Sequence, residues 1–356
     1  MHILAVLLIA ALSAGTPATI GGLDADASGA SGLGAERLGA RSPDANTLRV
    51  LVWNVLHGGN DVDRGPEKAL AVIRSVSPDI VLLQESYDID GDRPKLGAWL
   101  AGALSEGPSG GLEWKQHQAQ STHLCVLTPL DIEATFFHHE WHGVGARLRD
   151  AVGRELLVWS IWIDWRSFIT YTLRDTPEIS DEDLLAGERV GSSRQQQADA
   201  IIAHLRDSGQ LDADIPLLVG GDWNCPSHLD WTVDTARVYK RRRALALPVS
   251  TAMQRAGFMD TFRMVYPNPV QRPGITWSPL HRTTGGPDAR VEQAFERIDR
   301  LYLKNPASPT DGWVLRPVSG HVLPVVWEDE SVAQVDRLFP SDHGAVVIDL
   351  VWEKRD

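Results

Sequence analysis

The chain has 356 residues, enough for one large domain or two small ones, and 43% of them are hydrophobic, so a sizeable core can form. A formal net charge of −13 argues against a protein that coats nucleic acid or anionic membrane through bulk charge, because such binding works by Lys and Arg releasing counterions. A small phosphorylated substrate, or nucleic acid held by a local basic patch, stays compatible. The two cysteines, Cys125 and Cys225, exclude a disulfide framework and a thiolate zinc ribbon. Both flank apolar runs and are expected as buried free thiols.

In chain order, "MHILAVLLIAALSAG" is an apolar run closed by small residues, too short to span a bilayer comfortably. It reads as a signal peptide over residues 1–16, although no Lys or Arg precedes the run. A secreted or periplasmic protein is the expectation. Residues 17–47, rich in Gly, Ala, Ser and Asp without an apolar period, read as a flexible linker. From residue 48 to 356 the pattern is one domain of mixed strands and helices.

Strands are expected over 48–58, 80–86, 123–132, 154–164 and 215–224, and again at 275–277, 296–303 and 344–352. Helices are expected over 65–79, 95–104 and 194–209. The stretch 304–340 reads as a loop-rich excursion.

Polar residues gather at the strand ends, while the strand interiors are apolar. Asn54 closes the first strand, Gln84 and Glu85 the second, and Asp222 and Asn224 the run "LLVGGDWN". Arg297 and Asp299 fall in a later strand, and Asp342 and His343 precede the last. Because strand side chains alternate, residues two apart share a face. Asp222 with Asn224, and Arg297 with Asp299, are therefore each expected to face one target. Carboxylates, amides and one imidazole without thiolates suit a hard cation such as Mg²⁺, with Mn²⁺ or Ca²⁺ as substitutes, together with phosphoester hydrolysis by an activated water.

The ordered set Asn54, "QE" 84–85, "GDWN" 221–224, "TW" 276–277, "RID" 297–299 and "SDH" 341–343 resembles the endonuclease/exonuclease/phosphatase superfamily over about residues 48–352. The resemblance implies an α+β fold, a four-layer α/β/β/α sandwich with two stacked mixed sheets and the site at one edge. It implies Glu85 as the main metal ligand, with Asn54 near the metal and Asp342 completing its shell. Asp222 would orient or deprotonate the attacking water, Asn224 would hold phosphate and water, and His343 would contact the phosphate with its ring fixed by Asp299. Trp277 would be a substrate-stacking wall. Many members carry a His in a strand of the form N-x-H-L-D; here the stretch is "SIWID", 160–164, with Trp162 in its place. Trp162 could offer a flat face to a base or sugar.

The resulting expectation is a secreted Mg²⁺-dependent phosphodiesterase acting on a small phosphodiester, a lipid headgroup or nucleic acid, with no stable protein partner evident. A nuclease, a sphingomyelinase-like phospholipase, and a non-catalytic binder of a phosphorylated or sugar ligand are the alternatives. Three other stretches carry weaker signals. "HHEWH", 138–142, has the wrong Glu–His spacing for a zinc protease and sits in an expected strand. "DIDGD", 88–92, reads as a solvated acidic loop that could line the cleft. "KRRR", 240–243, reads as a solvated helix face with a secondary reading as a phosphate grip.

Overall fold

The computed structural model describes residues 46–87, 95–106, 112–239, 242–281, 283–284, 291–309, 311–329 and 331–355. The expected leader, nearly all of the expected linker and the acidic stretch 88–92 lie outside the described residues. In chain order the strands are β1 (Thr47–Asn54), β2 (Ile80–Gln84), β3 (Lys115–His117), β4 (Cys125–Thr128), β5 (Asp131–His139), β6 (Gly143–Arg149) and β7 (Glu155–Trp162). They continue with β8 (Leu217–Asp222), β9 (Met259–Asp260), β10 (Thr283–Thr284), β11 (Val291–Glu292), β12 (Asp299–Lys304), β13 (Trp313–Leu323) and β14 (Ala345–Lys354). The helices are α1 (Gly65–Val76), α2 (Leu96–Ser105), α3 (Ile169–Asp175), α4 (Asp181–Ala186), α5 (Arg194–Asp207), α6 (Val233–Val238), α7 (Pro248–Arg255) and α8 (Thr261–Val265).

Among the described residues two six-stranded mixed sheets form, in the orders β13-β14-β1-β2-β4-β3 and β5-β6-β7-β8-β12-β9. Only the β1–β2 and β7–β8 pairs are parallel. The alternation of side chains sorts the core into layers. Val50, Val52, Ile80 and Leu82 of the first sheet meet Val144, Leu156, Val158 and Leu218 of the second. Their neighbours Leu51, Trp53, Val81 and Leu83 turn the other way, onto Ile73 of α1 and Leu100 of α2. Leu157, Trp159, Ile161 and Val219 pack likewise onto Ile201 of α5 and Met253 of α7. Both faces of the central strands are thus covered, which is why they read as continuous apolar runs rather than alternating ones. The result is the expected α/β/β/α sandwich.

Three expectations change. The strand expected over 275–277 does not form; Trp277 makes only isolated bridges to Glu296 and His343. The run 123–132 is two strands, broken at Pro129: β4 belongs to one sheet and β5 to the other. Pro lacks the ladder donor, so the chain leaves the first sheet there. Within 304–340 the eleven residues of β13 form an edge strand on β14, with a register shift between Pro317 and Ser319. The bulge and the proline erased the period-2 pattern that would have marked it. Both cysteines are buried and free, as expected.

The double glycine of β8 has a steric origin. A Cβ on Gly220 would lie 2.7 Å from Leu82 Cδ1 and 2.8 Å from Val52 Cγ2, where the two sheets approach most closely. One on Gly221 would lie 1.9 Å from the Ile161 carbonyl oxygen. Gly221→Ala is therefore expected to destabilise the fold by about 3 kcal/mol or more, the upper range of overpacking costs. Gly102→Ala, at an exposed position of α2 with nothing within 4 Å, should gain roughly 0.5–1 kcal/mol by helix propensity. Paired denaturant titrations would show both signs.

Candidate active site

Each polar strand end lands at one edge of the sandwich. Asn54, buried at the end of β1, accepts from Leu56 N at 3.0 Å through Oδ1. Its Nδ2 donates to Glu85 Oε1 at 2.9 Å and to Asp222 Oδ2 at 3.1 Å. Asn54 therefore joins a carboxylate that follows β2 to one that ends β8 in the facing sheet. Glu85 has φ +54°, and Asn224, Leu56 and His57 lie at +49°, +50° and +48°. Left-handed backbone is uncommon for such residues and concentrates where side chains must be aimed. Here it ends each strand abruptly at the cluster.

Asn224 is not an extension of β8. Its N–H donates to Asp222 Oδ1 at 2.8 Å, and its Nδ2 to Asp222 Oδ2 at 3.0 Å and Ile163 O at 2.8 Å. The pair does act at one place, but through a turn that folds Asn224 back onto Asp222. Asp222 stands opposite Asp299 in the antiparallel β8–β12 register. Asp299 Oδ2 lies 3.0 Å from His343 Nδ1, and His343 Nε2 lies 3.8 Å from Asp222 Oδ2 and 4.0 Å from Asp342 Oδ1. Ser341 fixes this turn: its hydroxyl donates to Asn54 O at 2.6 Å and accepts from His343 N at 3.0 Å.

The expected partnership of Arg297 with Asp299 does not form. Arg297 precedes β12 and turns away, bonding Asp230 at 3.0 Å through Nε and Asp260 at 2.7 Å through Nη2. Arg263 also reaches Asp230, at 2.6 Å. This is a buried ion network behind the site. The two described residues of the basic run are engaged internally: Arg242 is buried against Glu296, 2.9 Å away, and Arg243 reaches Asp181 at 2.7 Å. Lys240 and Arg241 lie outside the described residues. In the "HHEWH" stretch, β5 takes His138 against His204, while His142 Nδ1 meets Trp162 O at 3.0 Å, so those rings diverge.

Electrostatics separates the groups by role. Burial would lower the pKa of His343, but Asp299, Asp222 and Asp342 outweigh it and hold it well above its ordinary value. Burial, and then Asp299, push Asp222 up to about 7 against the opposing His343 charge. Burial and Glu85 push Asp342 up to about 6. Asp342 Oδ1 is buried with no hydrogen-bond partner.

Two settings could receive a cation. Ligand atoms of Asp222, Asp299 and His343 all lie within 4.8 Å of one another. In that trio the imidazolium offsets one of the two carboxylates, and His343 Nδ1 is engaged by Asp299. The Glu85 and Asp342 carboxylates have the His57 and His281 imidazoles beside them only at 3.9 Å, and with the orphaned Asp342 oxygen they fit a hard divalent ion better.

Trp277 stands beside the site as expected: its ring centroid is 4.9 Å from that of His343, and its Nε1 donates to Tyr171 Oη at 3.2 Å. Trp162 pairs with Asp222 across β7–β8. It is half-buried and packs edge-on to His123, with ring centroids 4.9 Å apart. Sequence reading gave no role to Ser341, Tyr171, Tyr87, His123 or Trp141, all of which the fold brings to this end. Ser341, within the "SDH" motif, and Tyr87, two residues beyond Glu85, carried a positional hint.

A model of the Endonuclease/Exonuclease/phosphatase family matches residues 51–343. An uncharacterized protein of Caenorhabditis elegans is 28% identical over 311 residues, spanning 86% of this chain and 92% of that one. Among solved structures, truncated TDP2 from Caenorhabditis elegans superposes with a TM-score of 0.50 at 16% identity, covering 86% of this chain and 97% of that one. The human Nocturnin catalytic domain, with a bound sulfate anion, gives 0.49 at 16% identity, covering 86% and 95%.

Asp299 is the largest influence holding His343 protonated. Asp299→Asn should therefore shift the His343 pKa downward, followed as the pH dependence of its imidazole C2–H resonance. An unchanged midpoint would assign the shift to Asp222 instead.

Proposed function

The chain belongs to the Endonuclease/Exonuclease/phosphatase family, and from that premise we propose that it is a metal-dependent phosphodiesterase in which Asp222 activates water and His343 faces the phosphate. The observation that carries this reading is the Asp299–His343–Asp222 arrangement beside the Glu85–Asp342 pair. The family supports a phosphoester hydrolase or nuclease in general; the roles below rest on the geometry and charge of this chain.

Asp222, raised to about 7, has a proton affinity suited to taking a proton from water near neutrality. Asn54 and both nitrogens of Asn224 fix its carboxylate. Among the described residues no donor reaches Asn224 Oδ1, which leaves that atom to accept from the same water. The 3.8 Å between His343 Nε2 and Asp222 Oδ2 is too long for a hydrogen bond and fits one intervening oxygen. With Nδ1 committed to Asp299, His343 presents Nε2–H to a phosphoryl oxygen, where a fixed donor stabilises developing negative charge. Glu85 and Asp342 would hold the cation, with Asn54 setting the Glu85 carboxylate through its amide. Mg²⁺, or Mn²⁺ or Ca²⁺ in its place, would supply Lewis-acid stabilisation of the phosphoryl oxygens when bound. Trp277 would form a wall beside the phosphate.

The net charge of −13 and the internal pairing of Arg242 and Arg243 favour a small phosphodiester over a long nucleic acid. A sphingomyelinase-like lipid substrate is the other enzymatic reading, and the exposed Val325 and Val326 beyond β13 favour it. A non-catalytic binder on the same fold is favoured by Trp162 alone. We further propose that the protein is exported, on the strength of its apolar first fifteen residues.

The test is hydrolysis of bis-(p-nitrophenyl) phosphate and p-nitrophenyl phosphate with Mg²⁺, Mn²⁺, Ca²⁺ or EDTA. Turnover should require metal and favour the diester. Asp222→Ala and His343→Ala should each lose about 10²- to 10⁴-fold in kcat, and EDTA should abolish turnover. Absence of turnover with every metal would turn the reading to the binding protein. For export, mass spectrometry of the protein from the extracellular or periplasmic fraction should show a new N-terminus near residue 17; an intact Met1 would overturn it.

A further inference from the structure

We propose that Tyr87 and Trp141, packed over the buried ring of His123, form an aromatic platform that stacks a planar aromatic substituent of the phosphoester, a specificity subsite that rests on the phosphoester reading above. The cluster begins at the Glu85 carboxylate. His57 Nε2 lies 3.9 Å from Glu85 Oε2, and the His57 and Tyr87 ring centroids are 5.9 Å apart. Tyr87 then lies 5.4 Å from His123, and His123 lies 4.8 Å from Trp141 and 4.9 Å from Trp162. The platform is distinct from Trp277, which packs on His343.

Its composition is poor for stability. His123 is 1% exposed, yet neither ring nitrogen has a hydrogen-bond partner, and buried Trp162 Nε1 has none either. Such orphaned groups are costly in a core that Leu or Phe could fill. Burial, then His142, push His123 down to about 3, so its ring is neutral at working pH and serves as an apolar support beneath Tyr87 and Trp141. Trp141, at the turn between β5 and β6, remains 38% exposed, with an indole left open at the rim of the cluster.

The geometry also selects the occupant. A quaternary ammonium needs an enclosing cage of separated rings. Here Tyr87, Trp141 and Trp162 close around His123 itself, with Tyr87–Trp141 and Trp141–Trp162 centroids only 6.1 and 6.4 Å apart. That leaves an outer face but no interior. An outer aromatic face is what a flat ring stacks on, whether nucleobase or aryl group.

The test is isothermal titration calorimetry in Mg²⁺ and again in EDTA, with two matched pairs: AMP against ribose 5-phosphate, and phenyl phosphate against methyl phosphate. The ring-bearing member of at least one pair should bind about tenfold more tightly. Trp141→Ala should erase that ratio, and Trp141→Phe should restore most of it. An advantage confined to AMP identifies a nucleobase, and one shown by phenyl phosphate an aryl group. Equal affinities within both pairs, or a ratio that survives Trp141→Ala, would overturn the proposal. The measurement needs no turnover, so a protein that hydrolyses nothing yet keeps the ratio would defeat the hydrolase reading while leaving the platform standing. Active enzyme without the ratio would do the reverse.

Discussion

The Asn54 amide is the contact on which this site depends. The two sheets are held together by apolar packing that stops short of their edge, where the strands run out into polar residues. There Asn54 Nδ2 spans the gap, bonding Glu85 on its own sheet and Asp222 on the other. Neighbouring contacts repeat the device one layer deeper. Gln84 Nε2 donates across to Ser160 Oγ at 2.9 Å, and that hydroxyl donates back to Leu83 O at 2.8 Å. Trp53 Nε1 and Ser341 Oγ tie β1 to the turn that carries His343. Hydrogen bonds between buried groups at the end of an apolar interface are directional where the packing is not. They fix the register of one sheet's carboxylates against the other's.

That fixation brings like charges together. Glu85, Asp222, Asp299 and Asp342 converge with one imidazole as the charged counterweight. The His343 pKa rises despite burial because carboxylates surround it, while Asp222 and Asp342 rise first through burial and then through their like-charged neighbours. A cluster of this kind is stable with protons or a cation present and strained without them. On the Asp299–His343–Asp222 side donor and acceptor are in reach of a shared proton. On the proposed reading a cation would take the Glu85–Asp342 side, with its orphaned Asp342 oxygen, and relieve the burial that raises Asp342 to about 6.

The sequence carried much of this because each site residue sits at the end of an apolar run, and the place where a strand stops is a local property. Asn54, Glu85, Asp222 and His343 were legible on that ground. What was lost is what depends on distant partners. Arg297 and Asp299 share a parity that places them on one face, but Arg297 lies just before β12, and the buried carboxylates of Asp230 and Asp260 draw it behind the sheet. Arg242 looked solvated within a run of four basic residues, and only the fold reveals Glu296 beneath it. The edge strand β13 vanished into an apparent loop because Pro317 and its adjoining bulge break the alternation. The platform residues Tyr87, His123 and Trp141 come from three separate segments that become neighbours only when the sheets stack.

Trp162 gains its meaning from that stacking. At the position where the resemblance to the family leads one to expect an imidazole, this chain places the Trp162 indole and sets an imidazole, His123, edge-on against it. The exchange is not a relocation of function. His123 is buried, unbonded and neutral, and its pKa of about 3 keeps it from donating a proton to phosphate near neutrality. His343 is left as the buried imidazole at the centre whose charge is held in place. The space that a second polar ring would occupy is given to aromatic surface continuous with Trp141. On the proposed reading, recognition of the group attached to phosphorus and stabilisation of the phosphate would fall to different residues, Tyr87 and Trp141 beyond Glu85 and His343 beside Asp222.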